Sequence, residues 1–165
     1  MFSILIPSYN NLNYLKLCIK SIVNNSKFNH QIIIHVNEGT DGTLDFLKNS
    51  NFEYSFTSYN AGICEGINKA AKLAKHEYFL YAHDDFYFCP NWDEYLYDEI
   101  KKIGHNNFYL SGTMVGEGQI KFFAGNDYKD FDETKLLKNI QNIQSFDFQG
   151  TTKCPGLVHI ETWNK

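Results

Sequence analysis

The feature that most constrains this chain is a regular alternation, from Phe2 to Ala82, of short apolar runs and segments of helical period. Phe2 to Ile6 reads as a buried strand ended by Pro7, which has no N–H for a ladder. Asn10-Asn11 then offers an N-cap, and Leu12, Leu15, Ile19, Ile22 and Val23 follow at the spacing of one helix face. Gln31 to Val36 is rich in β-branched residues and reads as a second buried strand. Gly39-Thr40-Asp41-Gly42 is a turn in which the glycines supply unusual backbone angles, and Thr43 to Lys48 fits a short helix. Phe52 to Thr57 is a third strand. Ile63, Ile67, Ala70, Ala71 and Ala74 then mark a helix over Gly62 to Lys75, and Tyr78 to Ala82 is a fourth strand. Strands separated by helices of this length imply right-handed crossovers and a mainly parallel α/β sheet.

The pattern changes after a helix expected over Trp92 to Ile103. Short apolar stretches at Phe108 to Val115, Gln119 to Phe123, Ser145 to Phe148 and Leu157 to Ile160 are divided by polar or Gly-containing turns, with a further helix near Glu133 to Ile140. No repeat, low-complexity tract or linker interrupts the chain. The 165 residues are therefore read as one domain, with the second half a mixed extension of the sheet.

Composition narrows the function classes. A 43% apolar and 16% aromatic content marks a chain that builds a core. The net charge is −4 and no run of Lys exceeds a pair, so the clustered cations of a nucleic-acid surface are lacking. Cys18, Cys64, Cys89 and Cys154 form no C-x-x-C and are read as free buried thiols of a reducing compartment. The N-terminus lacks a basic region and its apolar run is too short for a signal peptide or membrane span. The expectation is a cytoplasmic protein without a transmembrane segment, with peripheral membrane association left open.

One local arrangement carries chemistry. His83-Asp84-Asp85 follows the fourth strand directly, and in an open α/β sheet ligands bind beyond the carboxyl ends of the strands. Two adjacent carboxylates with no neighbouring Lys repel each other unless a cation joins them. Hard divalent ions such as Mg2+ and Mn2+ take one or two carboxylates together with phosphate oxygens. The inference is a metal–diphosphate site. The competing reading is a solvated loop or N-cap for the next helix. His83 is read as a packed or solvent-facing imidazole and left out of the metal shell.

Four segments in order resemble glycosyltransferase family 2, which has the GT-A fold, a Rossmann-like mixed sheet flanked by helices. Ile4-Leu5-Ile6-Pro7-Ser8-Tyr9-Asn10 looks like the family's opening strand and its P-[ST]-Y-N turn. Val36-Asn37-Glu38-Gly39-Thr40-Asp41-Gly42-Thr43 is similar to V-D-D-G-S-x-D-G-T. Asn60-Ala61-Gly62, then Asn68, resembles the N-x-G…N segment, and Leu80 to Asp85 lies where the family carries its D-x-D metal motif.

The resemblance implies roles for these positions. Tyr9 would stack near the nucleotide base, with Pro7 shaping the turn. Glu38 would accept a hydrogen bond from the base ring N–H, a task suited to a charged acceptor in a closed pocket. Here the chain departs from the family, with Glu for the usual Asp and a motif one residue shorter, so Asn37 is a rival for that role. Asn60 and Gly62 would line the donor at a helix N-terminus. Asp84 would contact the ribose or the metal's water shell, and Asp85 would coordinate Mn2+ or Mg2+. Residues 1–90 would form the nucleotide-sugar-binding half, and 91–165 the sheet extension and the start of the acceptor half.

The implied activity is a metal-dependent, inverting transfer of a sugar from a nucleoside-diphosphate donor, UDP-linked, to a glycan or other hydroxyl acceptor, as in polysaccharide biosynthesis. Such a reaction needs a Lewis acid, a held donor and a general base. The family's base follows a G-G-F-D-like stretch, and the chain ends at Trp163-Asn164-Lys165, which resembles the stretch just before it. Asp127, Asp130, Asp132, Glu133, Asp147 and Glu161 match no base motif and are read as loop carboxylates, so no catalytic base is assigned. The chain reads as a truncated N-terminal portion of an enzyme. The alternative is a catalytically incomplete nucleotide- or carbohydrate-binding module. A nucleotidyltransferase is disfavoured by the lack of a Gly-rich, Lys-containing phosphate loop near the N-terminus.

Overall fold

The computed structural model describes residues 1–116, 120–140 and 154–164. The expected alternation is present through the first half: β1 (Ser3–Tyr9), α1 (Leu12–Asn25), β2 (Gln31–Asn37), α2 (Thr43–Lys48), β3 (Glu53–Thr57), α3 (Gly62–Ala71) and β4 (Tyr78–Tyr81). Next come α4 (Trp92–Ile103), β5 (Leu110–Ser111), α5 (Glu133–Ile140), β6 (Gly156–His159) and α6 (Ile160–Trp163). The six strands make one sheet in the order β3-β2-β1-β4-β6-β5. The first four are mutually parallel; β6 is added antiparallel to β4, and β5 antiparallel to β6. This is the mixed, mainly parallel Rossmann-like sheet expected from the sequence.

Period-two alternation divides the core between the two faces. Ile4, Ile6, Ile32, Ile34, Val36, Leu80 and Leu157 pack against α1, α2 and α4 through Leu15, Ile19, Ile22, Leu47, Leu96 and Ile100. Leu5, Ile33, Phe79 and Val158 face the other way, against Ile67 and Ala70 of α3. Each fully buried Leu or Ile contributes about 1.5–3 kcal/mol of transfer free energy, so both faces hold the sheet. On the second face Gly66 brings α3 close to β2. A Cβ there would stand 2.7 Å from Cδ2 of His35, whose ring is held by Ser55 and Thr57.

Several expectations are corrected. Pro7 does not end the first strand, which runs through it to Tyr9. Leu5 accepts from the Ala82 N–H on the β4 side, and Pro7, two residues on, turns its backbone to the same side. The β1–β4 ladder has stopped by then, at Leu5↔Tyr81, so no donor is missed. The third helix ends at Ala71 and not at Lys75. Leu73 and Ala74 donate to carbonyls three residues back, and the Lys75 N–H is taken by Gln31 Oε1 and Ser3 Oγ at the strand starts. Val23 is exposed, outside the apolar stripe of α1. Cys64 is exposed too, against the expectation of buried thiols. Among the described residues, the later apolar stretches yield strands at Leu110–Ser111 and Gly156–His159, which find a partner edge. Ile120 makes just an isolated bridge to Val115. Gln119 and Ser145 to Phe148 lie outside the described residues. Among the described residues no helix is long and apolar enough to cross a membrane.

Candidate functional site

The carboxyl ends of β1, β2 and β3 are in register at Tyr9, Asn37 and Thr57. The connection after β1 runs through α1 on one face, whereas α3, which leads into β4, lies on the other. The gap between β1 and β4 is therefore the switch point of the sheet, where diverging connections leave a crevice. A cleft of about 240 Å³ lies there, lined by Pro7, Tyr9, Asn10, Asn11, Ile63, His83 and Asp84.

Of the residues singled out in the sequence, Pro7, Tyr9 and Asp84 line this cleft, whereas Asn37, Glu38, Asn60, Gly62 and Asp85 stand outside its lining. Tyr9 is 48% exposed although β1 is otherwise buried, so its ring presents a face to solvent at the cleft. Ile63, on the first turn of α3, is likewise half exposed. It shares the helical period of α3 but turns toward the cleft.

Asp84 is gripped from the β1 side. The Ser8 hydroxyl donates to its Oδ2 at 2.6 Å and Asn11 Nδ2 donates to its Oδ1 at 3.1 Å. Burial nevertheless raises its pKa above the usual carboxylate value. The two hydrogen bonds offset part of that rise, and the adjacent Asp85 charge adds to it. Asp85 is exposed. His83 hydrogen-bonds the Tyr81 hydroxyl through Nε2 and stacks on Phe86 with ring centroids 5.3 Å apart, as a packed imidazole should.

Asn37 and Glu38 are placed differently. Asn37 is buried and its amide is committed: Nδ2 donates to the Ser8 carbonyl, while Oδ1 accepts from the Ala61 N–H at 2.8 Å and from the Thr57 hydroxyl. It ties the ends of β1 and β3 to the start of α3. Glu38 has a left-handed backbone, φ 60, and a half-buried side chain whose Oε2 accepts from Asn10 Nδ2 at 3.4 Å. Asn60 closes a local turn, its Oδ1 accepting from the Gly62 N–H, and Gly62 takes φ 76, where a Cβ is disfavoured.

The expected N-cap of the first helix is also reassigned. Asn11 occupies the cap position without a side-chain cap bond; Asp41 Oδ2 accepts from the Leu12 N–H at 2.7 Å instead. Asp41 Oδ1 accepts from the Thr43 hydroxyl and N–H. Burial pushes the Asp41 pKa up, but these donors outweigh it and hold it below the usual value. Ser8 and Asn11 thus hold Asp84 and Asp41 holds the start of α1, roles for which the polarity of the Ser8-to-Asn11 turn is the one local signal.

Among the described residues no group of three or more His, Cys, Asp and Glu side chains is set to hold a metal ion. Two adjacent carboxylates, one of them exposed, still fit a hard cation that takes its other ligands from phosphate oxygens and water. Of the carboxylates read as loop residues, Asp130 and Asp132 accept from nearby backbone N–H groups. Glu133 and Glu161 stand instead on helices, in the first turns of α5 and α6, where Glu133 bonds the Tyr87 hydroxyl and Glu161 pairs with His159; Asp147 lies outside the described residues.

Comparison with known proteins agrees with this architecture. Residues 3–155 match the model of the family described as Glycosyl transferase family 2. An uncharacterised glycosyltransferase of Rickettsia conorii is 32% identical over 118 residues, covering 68% of this chain and 19% of that protein. The chain thus spans about a fifth of that relative's length. Among solved structures, S. aureus TarS in complex with UDP-GlcNAc superposes with a TM-score of 0.58 at 22% identity, over 72% of this chain and 36% of that one. A mannosyltransferase from Pyrobaculum calidifontis in complex with GDP-Man and Mn2+ gives 0.55 at 14% identity, over 68% and 35%. At these identities the structural likeness shows the shared fold.

Proposed function

The chain belongs to glycosyltransferase family 2, and on that premise we propose that it transfers a sugar from a UDP-linked donor to a glycan or other hydroxyl acceptor, with inversion and with Mn2+ or Mg2+. The observation that carries the proposal is Asp84, clamped by Ser8 and Asn11 in the switch-point cleft, with Asp85 exposed beside it. The complexes of TarS with UDP-GlcNAc and of the mannosyltransferase with GDP-Man and Mn2+ support the donor class and the metal.

In this reading Tyr9 stacks on the base and Glu38 accepts from its ring N–H. Asn37, with its amide already engaged, shapes the pocket from behind. Asn60 and Gly62 border the donor at the start of α3. Asp84 orients the ribose, and Asp85 is the direct metal ligand. A bound divalent cation supplies neutralisation of the charge that develops on the departing diphosphate. Transfer requires that the cleft hold the donor with its anomeric carbon open to the acceptor. A cytoplasmic location belongs to the same proposal.

Release of UDP from a panel of UDP-sugars, with Mn2+ and a mixture of glycan acceptors, tests the activity. Acceptor-dependent release is the expected result. Tight UDP binding without release from any donor would instead favour the non-catalytic binding module.

A further inference from the structure

The turn that follows β1 puts two adjacent asparagines to work on two different acidic groups. Asn10 has a left-handed backbone, φ 47, which Asn tolerates better than most residues. Its Oδ1 accepts from the Thr40 N–H at 2.8 Å, which sets the amide's orientation and leaves Nδ2 to donate to Glu38 Oε2. Asn11 sits where its side chain would ordinarily cap α1, but Asp41 supplies that cap from another loop. Its Nδ2 is thereby released to donate to Asp84 Oδ1, opposite the Ser8 hydroxyl on Oδ2. Both asparagines line the cleft.

We propose that Asn10 and Asn11 are separate positioning residues for the two ends of a nucleoside-diphosphate ligand, Asn10 aiming Glu38 at the base and Asn11 aiming Asp84 at the ribose–diphosphate end. The inference rests on the donor site proposed above and goes beyond it by dividing the labour between neighbours in one turn. A carboxylate's free lone pairs point at a ligand in one orientation only when its other contacts fix the group. Glu38 and Asp84 face this need from different strands, and a single turn meets it because consecutive side chains diverge. An aspartate at either position would replace the amide donor with a second negative acceptor, so the amide is required at both.

Calorimetric titration of the 165-residue chain with UDP and with CDP, each with and without Mn2+, separates the two roles. For Asn10→Ala, the preference for UDP over CDP should collapse by about tenfold, the worth of one hydrogen bond to a charged group, with the Mn2+ enhancement of UDP binding retained. For Asn11→Ala, the Mn2+ enhancement should fall by about tenfold while the UDP:CDP ratio is kept. Both readouts are ratios within one variant, so general loosening of the fold does not imitate them. The isosteric Asn10→Asp should show the same loss of the UDP:CDP preference. Equal loss of both ratios in either variant, or no change in either, overturns the assignment while UDP binding by the unaltered chain stands. Failure of the unaltered chain to bind UDP overturns the donor site, and this inference with it.

Discussion

Two buried or half-buried aspartates at different places on this fold behave in opposite ways. Asp93, in the first turn of α4, is fully buried and accepts from the backbone N–H groups of Lys27, Phe28 and Glu94 and from His30 Nε2 at 2.9 Å. Burial alone would raise its pKa, but these donors and the His30 ring outweigh burial and hold it below the usual value. His30 is closed in turn, since the Phe2 N–H donates to its Nδ1, which leaves the proton on Nε2 facing Asp93. Among the described residues Asp84 has two side-chain donors, a like charge next door and a raised pKa. A saturated carboxylate makes structure; an under-supplied one in a cleft is ready for a ligand that brings its own donors or charge.

That contrast is open to attack, and the largest effect should come from the saturated member. Asp93→Ala strands the Lys27 and Phe28 N–H groups and the His30 ring in the interior, while the Glu94 N–H keeps the Asn91 carbonyl, and should cost about 3–5 kcal/mol, read from urea unfolding. A loss comparable to a surface substitution would remove the distinction between the two aspartates. A smaller loss, about 1–3 kcal/mol, is expected for Gly66→Ala, because the new methyl meets a His35 ring that Ser55 and Thr57 hold in place. This calibrates how rigid the region away from the cleft is.

The response to pH should be gentler. Burial depresses the pKa of His30, of His35 with help from Lys69, and of His76 with help from the N-terminal ammonium. The unfolded chain therefore takes up protons first as the pH falls through the ordinary histidine value of 6.5. Stability from these groups is full above that value and is lost as the pH falls toward the depressed folded values. Unfolding midpoints measured between pH 7.5 and 5.5, a window of roughly one unit either side of the ordinary value, should decline monotonically toward acid. The smallest stability effect belongs to Asp84→Asn. It removes an ionised group disfavoured by burial and should shift stability by no more than about 0.5 kcal/mol, while nucleotide affinity falls.

The same contrast explains what could be read from the sequence. The strands through β4 and the Asp84-Asp85 pair were legible because their signals are local: β-branched runs, helical spacing, and two carboxylates at a strand end. The clamp on Asp84 was not, since Ser8 and Asn11 lie 76 and 73 positions away from it. Asn11 was read as a helix cap on good local grounds, and Asp41, 29 residues from Leu12, took the cap. Pro7 misled because a proline ends a strand only where the ladder needs its N–H, and which neighbour lies on that side is a fact of the sheet. The short strands β5 and β6 depend on each other and on β4 for pairing, so their own apolar runs said little about which of the later stretches would be chosen.

The central claim is that Asp84 and Asp85 form a donor site completed by a divalent cation. Thermal unfolding of the chain with UDP, in the presence and absence of Mn2+, tests it most directly. The account predicts that UDP raises the midpoint only when Mn2+ is present and that Asp85→Ala abolishes the rise. An equal rise without metal, or one that survives in Asp85→Ala, would contradict it.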